Sequence, residues 1–164
     1  MCGIAGIIHR GKTVDIGSEM QGMLQALKHR GPDSTGYALY GEGSKGDYIL
    51  RFKVGENVKE GSSAANEEKN VYDERRKKVD KYIRDLGADI LQDQQLTPYS
   101  FRYVIKYDKD LMEFSKKIES VEMTEILSLG KTLELVKDIG DAGVVSKQYG
   151  LDKIRGTHAI GHSR

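Results

Sequence analysis

The residue best placed to do chemistry is Cys2, the only cysteine among 164 residues. It follows Met1, and a side chain this small permits removal of an initiator methionine. Cys2 would then carry a free α-amino group beside its thiol. Such an amine has a reference pKa of about 7.7–8.0, so near neutral pH an appreciable fraction can accept a proton. A free thiol near pKa 8.5 is only a few per cent thiolate under those conditions, so attack on a carboxamide needs activation. One residue could therefore hold both nucleophile and base, as threonine does with an N-terminal amine. The competing reading is an inert cysteine buried in a strand, the common fate of free cysteines.

Other polar groups are less telling. The four histidines are His9, His29, His158 and His162. A cysteine hydrolase could take any of them as base, and nothing in their spacing selects one. His158 and His162 are separated by Ala159-Ile160-Gly161. On a helix that spacing could share a metal, but Gly161 and the β-branched Ile160 favour a strand, so structural or incidental roles are expected. One cysteine excludes thiolate zinc clusters, and no metal or other cofactor is expected. Asp33 reads as a local cap for Thr35 or Gly36. Arg75-Arg76-Lys77-Lys78 is offset by Asp73, Glu74 and Asp80 and reads as a solvated helix face.

The elements that must position these groups follow from periodicity. Residues 2–8 read as a short strand, His9 to Thr13 as a turn. A helix is predicted over 15–29, with Ile16, Met20, Met23, Leu24 and Leu27 on one face. Lys28, His29 and Arg30 suit its C-terminal turn, and Gly31-Pro32 ends it. Residues 36–40 and 48–54 read as two strands joined by a glycine-rich turn. Composition shifts near Gly55, and 61–65 reads as a flexible joint. An amphipathic helix follows over 66–86, a strand over 99–107, a helix over about 110–121 and a strand near 125–129. Residues 132–139 are apolar-rich and ambiguous, and 156–163 forms a last strand. The mixture is α+β, with 56–150 expected to be an inserted α+β subdomain and 1–55 plus 151–164 the core.

Composition bounds the class of function. Apolar residues make up 38% and charged residues 31%, enough for a globular core. A net charge of +1 supplies no strong field toward nucleic acid or an anionic membrane, and neither partner is expected. No apolar run has the length of a membrane span. The apolar start lacks a basic leader and is cut by His9-Arg10-Gly11, against a signal peptide. A reducing cytoplasm is the expected location, since a single cysteine can form no intrachain disulfide.

Cys2-Gly3-Ile4-Ala5-Gly6, then His29-Arg30-Gly31-Pro32-Asp33-Ser34, then Gly156-Thr157-His158-Ala159-Ile160-Gly161-His162-Ser163-Arg164, together resemble the signature of class II, N-terminal-nucleophile glutamine amidotransferases. The three pieces stand in the family's order, with the first at the N-terminus. The resemblance implies an N-terminal-nucleophile αββα sandwich, here incomplete. It implies that Cys2 attacks the side-chain amide of L-glutamine and forms a thioester, its own amine shuttling the proton. It implies that Arg164 clamps the α-carboxylate, a task for a planar bidentate donor, and that Arg30 and Gly31 lie in the loop beside the nucleophile. For Arg30 the alternative is a helix C-terminal charge. Ammonia would pass to a synthase domain or subunit.

Two departures bear on this. The long insertion between Arg30 and Arg164 resembles stand-alone amidotransferase subunits related to archaeal glutamate synthase more than asparagine synthetase. Family members also continue beyond the Gly-His-x-Arg strand to an Asn-Gly pair for the oxyanion hole and an Asp for the substrate amine. None of Asn57, Asn66 and Asn70 precedes Gly. The expectation is therefore a truncated chain or fragment, or a partner that supplies the remainder. The alternative is a non-catalytic binding or assembly module, and a homo-oligomer stays open.

Overall fold

The computed structural model describes residues 2–27, 34–56 and 65–164. In chain order the elements are β1 (Gly3–Ile8), α1 (Ile16–Ala26), β2 (Ser34–Gly41), β3 (Tyr48–Lys53), α2 (Ala65–Asp85), β4 (Asp89–Gln95), β5 (Ser100–Lys106), α3 (Leu111–Glu119), β6 (Glu125–Gly130), β7 (Leu133–Ile139), α4 (Ala142–Tyr149) and β8 (Gly156–Ser163). They fall into two compact units, Met1–Gly46 with Gly130–Arg164, and Asp47–Leu129. Each contains a four-stranded sheet and two helices, so the described residues are of mixed α+β type.

In the first unit the strand order is β1-β8-β2-β7, every neighbour antiparallel. Side chains alternate across a sheet. One face presents Ala5, Tyr37, Leu39, Val136 and Ala159, all buried. Against it lies α1, whose Ile16, Met20 and Leu24 recur at helical spacing and are fully covered. Each such side chain contributes about 1.5–3 kcal/mol on burial. Helix and sheet meet closely at Gly161, where an added Cβ would come 2.7 Å from both Leu24 Cδ1 and Met20 Sδ. Helix α4 packs beside α1. Asp141 caps it by accepting from the Gly143 and Val144 amides at 2.9 and 3.0 Å, and Gly150 ends it in the left-handed region at φ 61°. Tyr37 donates to the Ala142 carbonyl at 2.7 Å. Burial first, and the Asp141 charge second, push its phenol well above the usual range.

The second unit has strand order β4-β5-β3-β6. Its core joins Leu50, Phe52, Phe101, Tyr103 and Ile105 of the sheet to Val79, Ile83, Phe114 and Ile118 of α2 and α3. The Arg76 guanidinium lies 4.8 Å from the Phe101 ring centroid and donates to the Tyr103 hydroxyl and to Asp93 at 2.9 and 2.6 Å. Arg76, read from sequence as part of a solvated run, thus lays its guanidinium over the aromatic rings at the rim of the core.

The observed elements differ from expectation in four places, each for a physical reason. β2 and β3 form no hairpin, because β2 finds its partners in β7 and β8 while β3 pairs with β5 in the other sheet. The two compact units divide at 46/47 and 129/130. The ambiguous 132–139 segment is strand β7. Its buried face carries Glu134 and Val136, while Leu135 is half-buried and Ile139 exposed on the other, so its apolar alternation points away from the helices. β4 and α4 are absent from the sequence reading; β4 is exposed almost throughout and polar, and α4 spans only eight residues.

Candidate active site

Three chain segments meet at one end of the first sheet. The register pairs Gly3 of β1 with Ser163 of β8, and Thr35 of β2 with the same Ser163. One residue further, Cys2 and Arg164 stand on neighbouring strands, whose spacing is about 4.8 Å. Ser34 completes the row: its amide donates to the Arg164 carbonyl at 3.2 Å, and the Arg164 amide donates back to the Ser34 carbonyl at 3.0 Å. Ser34 directly follows the His29-Arg30-Gly31-Pro32-Asp33 motif. Arg30 and Gly31, both candidate site residues, lie outside the described residues, as does the Asp33 cap. Two of the three motifs are thus brought side by side, and the third enters the sheet beside them.

Cys2 is exposed and its thiol is free. This departs from the inert buried cysteine and leaves the sulfur reachable by a solute. Strand parity sets Cys2 with Ile4, Gly6 and Ile8, on the face that α1 and α4 do not cover. Arg164 shares that face with His158, Ile160 and His162. A shallow cleft of about 320 Å³ opens there, bounded by Ser34, Gly36, Leu135, Lys137, His162 and Arg164 among others. Its lining mixes apolar walls with basic side chains, an arrangement suited to a small solute bearing a carboxylate.

The described histidines divide by environment. His9 meets Glu19 at 2.6 Å, at the far end of β1 from Cys2. His158 stacks on Tyr40, centroids 4.0 Å apart, with Nδ1 2.8 Å from the Thr157 hydroxyl. Both have structural partners. His162 lines the cleft. His158 and His162 lie on one strand, four residues and so roughly 13 Å apart, too far for one ion. No cluster of His, Cys, Asp or Glu among the described residues could hold a metal.

Sequence reasoning passed over Ser34, Gly36 and Lys137 as cleft residues. Once 133–139 is taken as a strand, parity alone sets Lys137 on the open face. The signal was present but needed the correct strand partner. No helix among the described residues is long and apolar enough to cross a membrane.

The exposed, free Cys2 thus stands one residue before β1 and Arg164 one residue after β8, at the same end of the sheet, with an open cleft on the Arg164 side. No family model matches the chain. It is 31% identical, over its whole length, to a protein of Methanothermobacter thermautotrophicus named "Putative glutamine amidotransferase". A 24% share of the chain is 55% identical to a Methanocaldococcus jannaschii protein named "Putative asparagine synthetase (glutamine-hydrolyzing) 2". The chain spans 52% of the length of the first relative and the match covers 8% of the second.

Proposed function

We propose that this chain is the glutamine-hydrolysing part of a class II glutamine amidotransferase, built on the N-terminal-nucleophile sandwich, with Cys2 as nucleophile. The observation that supports the reading is the pairing of Gly3 with Ser163, whose next residues outward are Cys2 and Arg164, in a chain similar over its full length to a protein named "Putative glutamine amidotransferase".

The chemistry follows from the groups present. With Met1 removed, the Cys2 α-amine takes the thiol proton as Sγ attacks the side-chain carbonyl carbon of glutamine. The amine returns that proton to the departing nitrogen, so ammonia leaves and a thioester remains. Water then attacks the thioester with the same amine as base, and glutamate and free thiol are restored. Arg164 holds the α-carboxylate by paired N–H donors. Arg30 and Gly31 organise the nucleophile's end of the site. Ammonia passes to a synthase domain or subunit, with a glutamate synthase the acceptor that the insertion favours.

The test is ammonia release from glutamine by the whole protein. Cys2→Ala is expected to lower kcat by at least about a thousandfold, as loss of a nucleophile does elsewhere. Intact mass should show Met1 absent, and an electrophilic glutamine analogue should add one equivalent at Cys2. Undiminished ammonia release by Cys2→Ala would overturn the assignment. Glutamine binding without ammonia release would identify a non-catalytic binding module instead.

A further inference from the structure

The cleft beside Arg164 holds a second cation that the glutamine reading does not use. Gly36 pairs with His162 on one side and Lys137 on the other. One row across the sheet is therefore Ile4, His162, Gly36, Lys137, and the next contains Arg164, Ser34 and Ile139. Because Gly36 has no side chain, the row has a gap at its centre. A Cβ built there would make only ordinary contacts, with the Val136 carbonyl oxygen at 3.7 Å and with Lys137 Cγ at 4.0 Å, so the position is uncrowded and the Lys137 stem borders it. The Lys137 and His162 Cα atoms stand two strand spacings apart, roughly 10 Å, on either side of it.

Charge makes this arrangement specific. Lys137, His162 and Arg164 all line the cleft, and among the described residues no Asp or Glu does. Glu134 and Asp138, the acids of β7, have the opposite parity and belong to the helix-covered face. Among the described residues neither Lys137 nor Arg164 has an acidic partner. Two cations with no acidic partner among the described residues, facing one concave space, concentrate positive potential there, and a single carboxylate neutralises only one of them.

We propose that Lys137 is a second anion contact of this cleft, and that the cleft prefers a small dicarboxylate to the matching monocarboxylate amide. The ligand chemistry stands on the lining alone.

The test uses the Cys2→Ala protein, so that neither ligand reacts, titrated with glutarate and with its monoamide by calorimetry at neutral pH. Glutarate is expected to bind about fivefold more tightly, the scale of one partly exposed ion pair. Lys137→Met should erase that preference and leave monoamide affinity unchanged, while Lys137→Arg should keep it. A preference that survives in Lys137→Met overturns the proposal, and so does the absence of binding by both ligands. Failure of the electrophilic analogue to label Cys2, with the glutarate preference intact, would refute glutamine hydrolysis and leave the dicarboxylate cleft standing.

Discussion

Gly161→Ala perturbs the closest approach between α1 and the first sheet, and its cost can be worked from the contacts. The new methyl would sit 2.7 Å from Leu24 Cδ1, 2.7 Å from Met20 Sδ and 2.9 Å from Leu24 Cγ. Carbon pairs settle near 3.5–4.0 Å, so roughly an ångström must be found. Flexible side chains on a surface would yield it cheaply. Here Met20 is 0% and Leu24 1% exposed, so neither has solvent to move into. The helix is also held at its far end, where Leu27 Cβ approaches the Cβ position of Gly3 to 3.2 Å, so lifting α1 disturbs β1 as well. Overpacking of this kind costs about 1–3 kcal/mol, equivalent to a fall of about 2–12 °C in Tm for a chain this size. Leu24→Ala alone should cost about 2–5 kcal/mol through the cavity it leaves. In the double variant the methyl added at position 161 enters that cavity, and the total loss should fall short of the sum by about 1 kcal/mol. Amide hydrogen exchange of β8 and α1 reads the stability of this unit without interference from the other. Strict additivity, or a Gly161→Ala cost under about 0.5 kcal/mol, would refute the packing argument.

Further outcomes follow from the second unit and from the buried phenols. Asp110 accepts from the Met112 and Glu113 amides at 2.7 and 3.3 Å, so Asp110→Ala should destabilise the unit by about 1 kcal/mol, with raised exchange confined to the first turn of α3. The phenols of Tyr37 and Tyr103 are both lifted above their ordinary pKa, chiefly by burial; for Tyr103 the hydrogen bond to the Asp80 carboxylate acts in the same direction and Arg76 opposes. A folded-state pKa above the unfolded one means that the protonated phenols favour the fold. That contribution is whole below about pH 10 and is lost as pH rises beyond it. Phenolate absorbance should therefore show Tyr37 and Tyr103 ionising only with unfolding, and Tyr103→Phe should soften the alkaline transition of the second unit. Reversible ionisation of both in the folded state would contradict their burial.

Part of the candidate site was legible in the sequence. Cys2 is chemically distinctive through its neighbour in the chain, a purely local fact, and the helix over Ile16, Met20 and Leu24 declares itself because a single stripe is buried. Strand β8 was legible too, since Gly161 and the β-branched Ile160 suit a strand better than a helix. What failed was the identity of strand partners. Tyr48 to Lys53 follows β2 after a short turn, and nothing local says that β2 instead bonds β7, more than ninety positions away in register with Ser34 to Tyr40. β7 itself misleads, because Leu133, Leu135 and Ile139 lie on the face away from the helices while Glu134 is buried.

The sequence by itself singled out Cys2 as the candidate nucleophile and determined the three longer helices, because nucleophilicity and helical amphipathicity are set by residues a few positions apart. Only the tertiary structure decided that Cys2 and Arg164 come to the same end of one sheet, that Lys137 lines the cleft with Arg164 and that Gly36 lies between Lys137 and His162. Those relations depend on hydrogen-bond register between strands far apart in the chain. Register is chosen by the packing of Gly161 and its neighbours under α1, and shifting it by one residue would turn every cleft side chain to the other face.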